Sequence, residues 1–155
     1  MLLRELREDE KDLLKEFLYQ AIYIPEGIKP PDKSIIEKPE LVLYYQNFGS
    51  EDADYCIVSE ENGKVVGAVW TRIMDDYGHI DDDTPSLSIS LLPDFRSRGY
   101  GRAMMKAILE LLKEKGYEKV SLSVQKENYA VKMYQSLGFQ IWDDRDEEYI
   151  MIREL

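Results

Sequence analysis

The chain of 155 residues contains one cysteine and one histidine, and each scarcity removes a class of function. Cys56, alone and set in Asp-Tyr-Cys-Ile-Val, forms no internal disulfide and no cysteine-based metal cluster, and its apolar neighbours mark it as a buried strand residue rather than a nucleophile. His79 stands in a polar loop, where a solvated or locally bonded imidazole is favoured over a base, and no further ligands at metal spacing accompany it, so no metal site is expected. The roughly 20 consecutive apolar residues of a membrane span occur nowhere, and the opening MLLRELREDEKDLL lacks the apolar region and cleavage site of a signal peptide. A cytoplasmic protein without membrane association is expected. Basic residues are also few: 20 Lys and Arg against 31 Asp and Glu leave a formal charge of −11, which disfavours nucleic acid as a partner and favours cationic small substrates.

What is present fits one domain spanning 1–155, long enough to bury a real core. Leu2 to Leu6 reads as a short strand. An amphipathic helix follows an acidic start at Glu8, Asp9 and Glu10, its apolar face carrying Leu13, Leu14, Phe17, Leu18, Ala21 and Ile22. IPEGIKPPDK interrupts regular structure, and a second helix is predicted from about Pro39 to Phe48. Tyr55 to Ser59 and Lys64 to Met74, joined through Asn62-Gly63, read as an antiparallel hairpin. After the acidic loop DDYGHIDDDTP come a strand (Leu87 to Leu92), a helix from Tyr100 closed near Gly116, and a strand (Lys119 to Val124), a βαβ crossover that makes the two strands parallel. A short helix from Asn128 through Leu137, closed by Gly138, and a hairpin of Gln140 to Trp142 with Tyr149 to Arg153 complete the chain. The fold class is therefore α/β (α+β): a mixed, mostly antiparallel twisted sheet with a central parallel pair and helices on both faces.

The chemistry is carried by two motifs. Arg96-Ser97-Arg98-Gly99-Tyr100-Gly101 lies between a strand end and a helix start, where the first N–H groups of the helix lack partners. Gly99 and Gly101 present no side chain to hold a ligand away, and Arg96, Arg98, Arg102 and Lys106 concentrate positive charge in an otherwise acidic chain, so a diphosphate is the natural ligand. A dinucleotide fingerprint would need glycine at Met104 and an acidic residue near Val124-Gln125, and a P-loop would need Gly-Lys-Ser/Thr where Gly101-Arg102-Ala103 stands; neither fits. The second motif, Asn128-Tyr-Ala-Val-Lys-Met-Tyr134-Gln-Ser-Leu-Gly138-Phe139, follows the second parallel strand.

LPDFRSRGYG paired with NYAVKMYQSLGF, with a helix and strand between, resembles the GNAT acetyltransferase superfamily over roughly residues 87–139. The resemblance implies the acyl-CoA N-acyltransferase fold and direct acetyl transfer from acetyl-CoA to a primary amine in a ternary complex, without a covalent enzyme intermediate. It implies a diphosphate site on the backbone from Arg98 through Gly99, Tyr100, Gly101 and Arg102 to Ala103, with Arg96 beside it. A pantetheine arm would pair with the strand edge at Leu91 and Leu92 and touch Asn128, which also suits a helix N-cap. Tyr134 matches the family tyrosine that protonates the leaving thiolate, work that a phenol can do.

The acceptor side is less determined. An ammonium of pKa about 10.4 must lose a proton before it attacks. Relatives carry a glutamate on the strand beside the thioester, where this sequence has Ser86, so Asp81, Asp82, Asp83, His79 and Glu26 are alternatives acting through water, and Tyr23, Glu26 and Trp70 could line the acceptor pocket. The acceptor is a small-molecule or protein amine, and a homodimer is an open expectation. The missing strand carboxylate keeps alive a non-catalytic acyl-CoA-binding regulatory module on the same fold.

Overall fold

The computed structural model describes residues 1–155. Seven strands form one sheet: β1 (Leu2–Glu5), β2 (Tyr55–Glu61), β3 (Lys64–Arg72), β4 (Ser86–Leu91), β5 (Lys119–Gln125), β6 (Gln140–Asp144) and β7 (Glu148–Glu154), in spatial order β1-β2-β3-β4-β5-β7-β6. Every neighbouring pair is antiparallel except β4 and β5, the expected mixed sheet. The β2–β3 turn has Asn62 at φ 52° and Gly63 at φ 80°, the pair of positive angles a two-residue hairpin loop requires.

Helices cover both faces. On one lie α1 (Leu13–Ala21) and the short α2 (Pro39–Val42), whose surroundings supply Leu14, Phe17, Leu18, Tyr44 and Phe48 to a core shared with Val58, Ala68 and Trp70 of the sheet. On the other lie α3 (Tyr100–Glu114) and α4 (Ala130–Ser136). The buried face of α3 carries Met104, Met105, Ile108, Leu109 and Leu112. Each such side chain contributes about 1.5–3 kcal/mol on burial, so α3 is held chiefly by its packing.

The helix predicted from Pro39 to Phe48 ends at Val42. Beyond it the chain continues in turns, because its carbonyls have another partner. Arg72, at the end of β3, donates from Nη1 to the carbonyls of Leu43 (3.0 Å) and Gln46 and from Nη2 to that of Asn47 (3.1 Å). The same guanidinium meets Asp54 in two bonds, Nε to Oδ1 at 3.0 Å and Nη2 to Oδ2 at 2.9 Å. A buried cation with a carboxylate and three carbonyls around it outweighs the local helical preference.

Candidate active site

The opening between β4 and β5 follows from where their hydrogen bonds go. The strands pair only at Ser86 and Ser121, where Ser121 N–H donates to the Pro85 carbonyl at 3.0 Å. On the other edge of β4, Leu92 N–H donates to the Val66 carbonyl of β3 at 2.9 Å. Backbone groups of successive strand residues point to opposite edges, so even-numbered residues of β4 face β3 and odd-numbered ones face β5. Ile89 and Leu91 therefore turn their N–H and C=O groups into a gap that β5 leaves, and Arg96 Nε meets the Leu91 carbonyl there at 3.1 Å.

A cavity of about 790 Å³ runs through this gap to the start of α3. Ser97, at φ 60°, and Gly99, at φ 85°, both take left-handed backbone to turn the chain into the helix; the glycine does so without steric cost. The first carbonyl-bound N–H is that of Ala103, which donates to the Gly99 carbonyl at 3.2 Å, leaving the N–H groups of Gly99 to Arg102 without a backbone partner at the positive end of the helix dipole. Gly101 has no need within the chain to be glycine: its φ is not left-handed, and an added Cβ would rest 3.8 Å from Leu91 Cδ1 and 4.0 Å from Met133 Sδ, ordinary contact distances. The space it leaves suits a ligand, and residues present here fit a diphosphate.

Of the residues expected to bind the donor, Leu91, Arg96, Gly99, Gly101, Arg102 and Asn128 line this cavity, whereas Leu92, Arg98, Tyr100 and Ala103 do not. Leu92 packs into the α1 side of the core. The Arg98 guanidinium lies over the Phe95 ring at 5.3 Å. Tyr100 donates its hydroxyl to Glu61 at 2.7 Å. Arg96 also donates from Nη2 to Gln20 Oε1 at 3.0 Å, tying the groove to the end of α1, a partner that nothing in the sequence singles out. Asn128 Oδ1 accepts the Ala130 N–H at 2.9 Å, so its capping role is filled at the start of α4.

A second cavity of about 450 Å³ adjoins the first on the α1 side of β4. Six residues line both: Ala21, Ile22, Tyr23, Ile89, Asn128 and Tyr134. Tyr134 is 8% exposed, and burial alone pushes its hydroxyl up to about 12, so it stays protonated and free to donate. The second cavity is mixed in character: Ile35, Leu41, Tyr23 and Tyr44 stand beside Asp76, Ser88, Ser123, Gln125, Asn128 and Glu148, and the surface it presents is about as polar as apolar.

One buried carboxylate lines this second cavity, and sequence reasoning missed it. Asp76 follows β3, and burial, the largest influence on it, holds its carboxyl above the usual range against the lowering effect of Ser86 and Tyr44. Ser86 Oγ lies 3.0 Å from Asp76 Oδ2 and 3.1 Å from the Arg72 carbonyl; its single proton serves one of them at a time. Asp76 Oδ1 is buried without a hydrogen-bond partner. The loop is pinned in place by Gly78, whose carbonyl accepts Ser121 Oγ–H at 2.6 Å and where a Cβ would stand 3.2 Å from Ser123 N. The alternatives considered from sequence lie elsewhere. Asp81 pairs with Lys119 at 3.3 Å, His79 with Asp82 at 3.6 Å, and neither these nor Asp83 nor Glu26 lines either cavity. Tyr23 does line both, but Trp70 is a fully buried core residue whose Nε1 donates to the Tyr44 carbonyl at 3.0 Å. No group of three or more His, Cys, Asp or Glu is placed to hold a metal, and no helix is long and apolar enough to cross a membrane.

The family model described as the Acetyltransferase (GNAT) family matches residues 18–139. The chain belongs to the GNAT acetyltransferase family. Among relatives of this GNAT protein, an uncharacterized N-acetyltransferase of Archaeoglobus fulgidus is 27% identical over 137 residues, covering 84% of this chain and 88% of that one. Mycothiol acetyltransferase of Thermobifida fusca is 32% identical over 93 residues, 57% of this chain but 29% of the relative; the chain spans 27% to 36% of the length of the mycothiol acetyltransferases it matches. The crystal structure of PaiA N-acetyltransferase from Thermoplasma acidophilum in complex with coenzyme A superimposes with a TM-score of 0.73 at 18% identity, covering 99% of this chain and 98% of that one, a likeness of fold.

Proposed function

We propose that residues 1–155 act as one N-acetyltransferase domain that moves an acetyl group from acetyl-CoA to a primary amine, both bound at once. The observation that carries this reading is the position of Tyr134, a buried and protonated hydroxyl lining both of two adjoining cavities. One cavity offers unpaired helix N–H groups and a strand edge that β5 leaves open, the other a chamber lined by the Asp76 carboxylate. Acetyl-CoA supplies a thioester, an acyl carbon already activated toward amines. The N–H groups of Gly99 to Arg102, with Arg96 and Arg102 nearby, hold the diphosphate. The open edge at Ile89 and Leu91 pairs with the pantetheine amides as an added strand would, and the Leu91 N–H polarises the acyl carbonyl, fixed in place before charge develops. Asn128 lies beside that arm. Tyr134 donates its proton toward the departing sulfur.

The test is CoA release from acetyl-CoA against a panel of amines, with Tyr134→Phe run in parallel. Amine-dependent turnover should fall by about 100-fold or more in the variant, while acetyl-CoA at 100 times its Kd still stabilises it by about 2.7 kcal/mol. Unchanged turnover in Tyr134→Phe would remove the tyrosine from the mechanism. Donor binding without turnover of any amine would favour the regulatory module, and no stabilisation by acetyl-CoA would sink the transferase reading itself.

A further inference from the structure

A largely buried carboxylate is stable only with a partner that compensates its desolvation, and Asp76 has no cationic one within the protein. Ser86 offers a proton shared with the Arg72 carbonyl, the Tyr44 hydroxyl and the Gly78 N–H are the neutral donors that favour the carboxylate, and Oδ1 makes no close hydrogen bond of its own. The titratable side chains that share the chamber with Asp76 are Tyr23, Tyr44, Tyr77, Tyr134 and Glu148, and no Lys, Arg or His lines it. Glu148 already has a cation, Arg145 Nη1 at 3.6 Å. Asp76 is thus the carboxylate of the chamber left without positive charge, and it lines the same cavity as Tyr134.

We propose that Asp76 is the acceptor-side catalytic carboxylate, binding and deprotonating a primary ammonium carried on a body without negative charge. The inference rests on the transferase reading above and adds to it a base and a class of acceptor. One feature selects that class. The absence of any lining cation means that an acceptor bearing its own carboxylate or phosphate would bury that charge unpaired, facing Asp76 and Glu148.

The chemistry balances without a further reactant. The ammonium gives one proton to Asp76, leaving a neutral amine whose lone pair forms the C–N bond to the acyl carbon as the C–S bond breaks. The electrons of that bond go to sulfur. The second proton leaving nitrogen matches the one delivered to sulfur through Tyr134, and Asp76 returns its proton to solvent. Burial disfavours both the ammonium and the carboxylate, lowering the pKa of one and raising that of the other, so their proton affinities converge in the chamber.

The experiment compares 2-phenylethylamine with phenylalanine, the same body with a carboxylate added, on the wild type and on Asp76→Asn, with acetyl-CoA thermal shifts recorded throughout. The wild type should prefer the amine by at least about 100-fold in kcat/KM. Asp76→Asn, close in shape, should keep the acetyl-CoA shift yet lose about 100-fold or more in kcat with 2-phenylethylamine, along with the acidic limb of its pH profile. Equal use of phenylalanine, or no turnover of 2-phenylethylamine by a wild type that binds acetyl-CoA, overturns the acceptor class; near-normal kcat in Asp76→Asn overturns the base. The wild-type comparison stands even if the variant folds poorly. Failure of the wild type to bind acetyl-CoA would instead strike the transferase reading on which the proposal rests.

Discussion

Replacing Gly101 with alanine should make the free protein more stable and the donor complex weaker, two effects of opposite sign from one methyl group. Within the chain the methyl meets only Leu91 Cδ1 at 3.8 Å and Met133 Sδ at 4.0 Å, and the backbone there is not left-handed. Alanine improves on glycine by up to about 1 kcal/mol in a helix interior, and about half of that is reasonable in the first turn. At about 2–4 °C per kcal/mol for a chain of this size, Tm without ligand rises by about 1–2 °C. If the methyl displaces a phosphate oxygen from the helix N–H groups, one charge-assisted hydrogen bond of about 1.5–3 kcal/mol is lost, and Kd rises by roughly 10- to 150-fold. Acetyl-CoA at 100 times the wild-type Kd then stabilises the variant by about 0.3–1.4 kcal/mol instead of about 2.7 kcal/mol. Thermal scans with and without acetyl-CoA read both effects at once. A fall in the ligand-free Tm would show that the fold itself needs this glycine, and an undiminished shift would place the diphosphate elsewhere.

Two further predictions concern stability. Arg72→Met leaves Asp54, whose side chain is fully buried, without its cation and should cost about 3–5 kcal/mol; urea melts should show it, and Arg72→Met combined with Asp54→Leu should recover part of the loss, whereas a loss under about 1 kcal/mol would mean that the turns at 43–47 hold themselves. Glu10 lies at about 2, chiefly through its hydrogen bonds with Arg4 and against an ordinary value of 4.5. A depressed carboxyl stabilises the fold above its unfolded pKa and loses that contribution as pH falls through the folded one. The stability gap between wild type and Glu10→Gln should therefore be constant above about pH 5 and close between 4.5 and 2; a gap that widens on acidification contradicts the pairing.

The cleft proposed for the donor was legible in part because its determinants are local. Gly99, Gly101 and the strand before them specify a helix start within a few residues, and Asn128 and Tyr134 follow a strand, so reading along the chain brings these four to one cavity. Pro39 to Phe48 was misread for the opposite reason: its propensity is helical, but the carbonyls of Leu43, Gln46 and Asn47 are taken by a guanidinium from β3, and no local pattern announces a partner 25 to 29 residues away. Asp76 was illegible for a related reason. It lies in an acidic loop with Asp75, Asp81, Asp82 and Asp83, and composition cannot tell which of them is drawn inward. Gly78 decides it, by its close contact with β5, since the chain just before it is thereby carried beneath the sheet.

The packing of α1 explains why the carboxylate comes from that loop and not from β4. On the face of β4 that meets α1 the side chains are Ser86, Ser88 and Ser90, while Leu87 and Leu91 join the α3 core. Ser90 Oγ donates to the Phe17 carbonyl at 2.6 Å, a contact that brings the α1 backbone directly against the strand. Ser86 is 2% exposed and its hydroxyl lies between the Arg72 carbonyl and Asp76. A glutamate there would have to bury a longer charged chain beside a carbonyl and a second carboxylate, an arrangement of unpaired negative ends. Serines allow the helix to approach closely, and the loop after β3, fixed through Gly78 and Ser121, brings a carboxylate to the same chamber from below. Moving the charge from strand to loop keeps the carboxylate in a cavity that Tyr134 also lines while leaving the strand face small enough for α1 to pack against it.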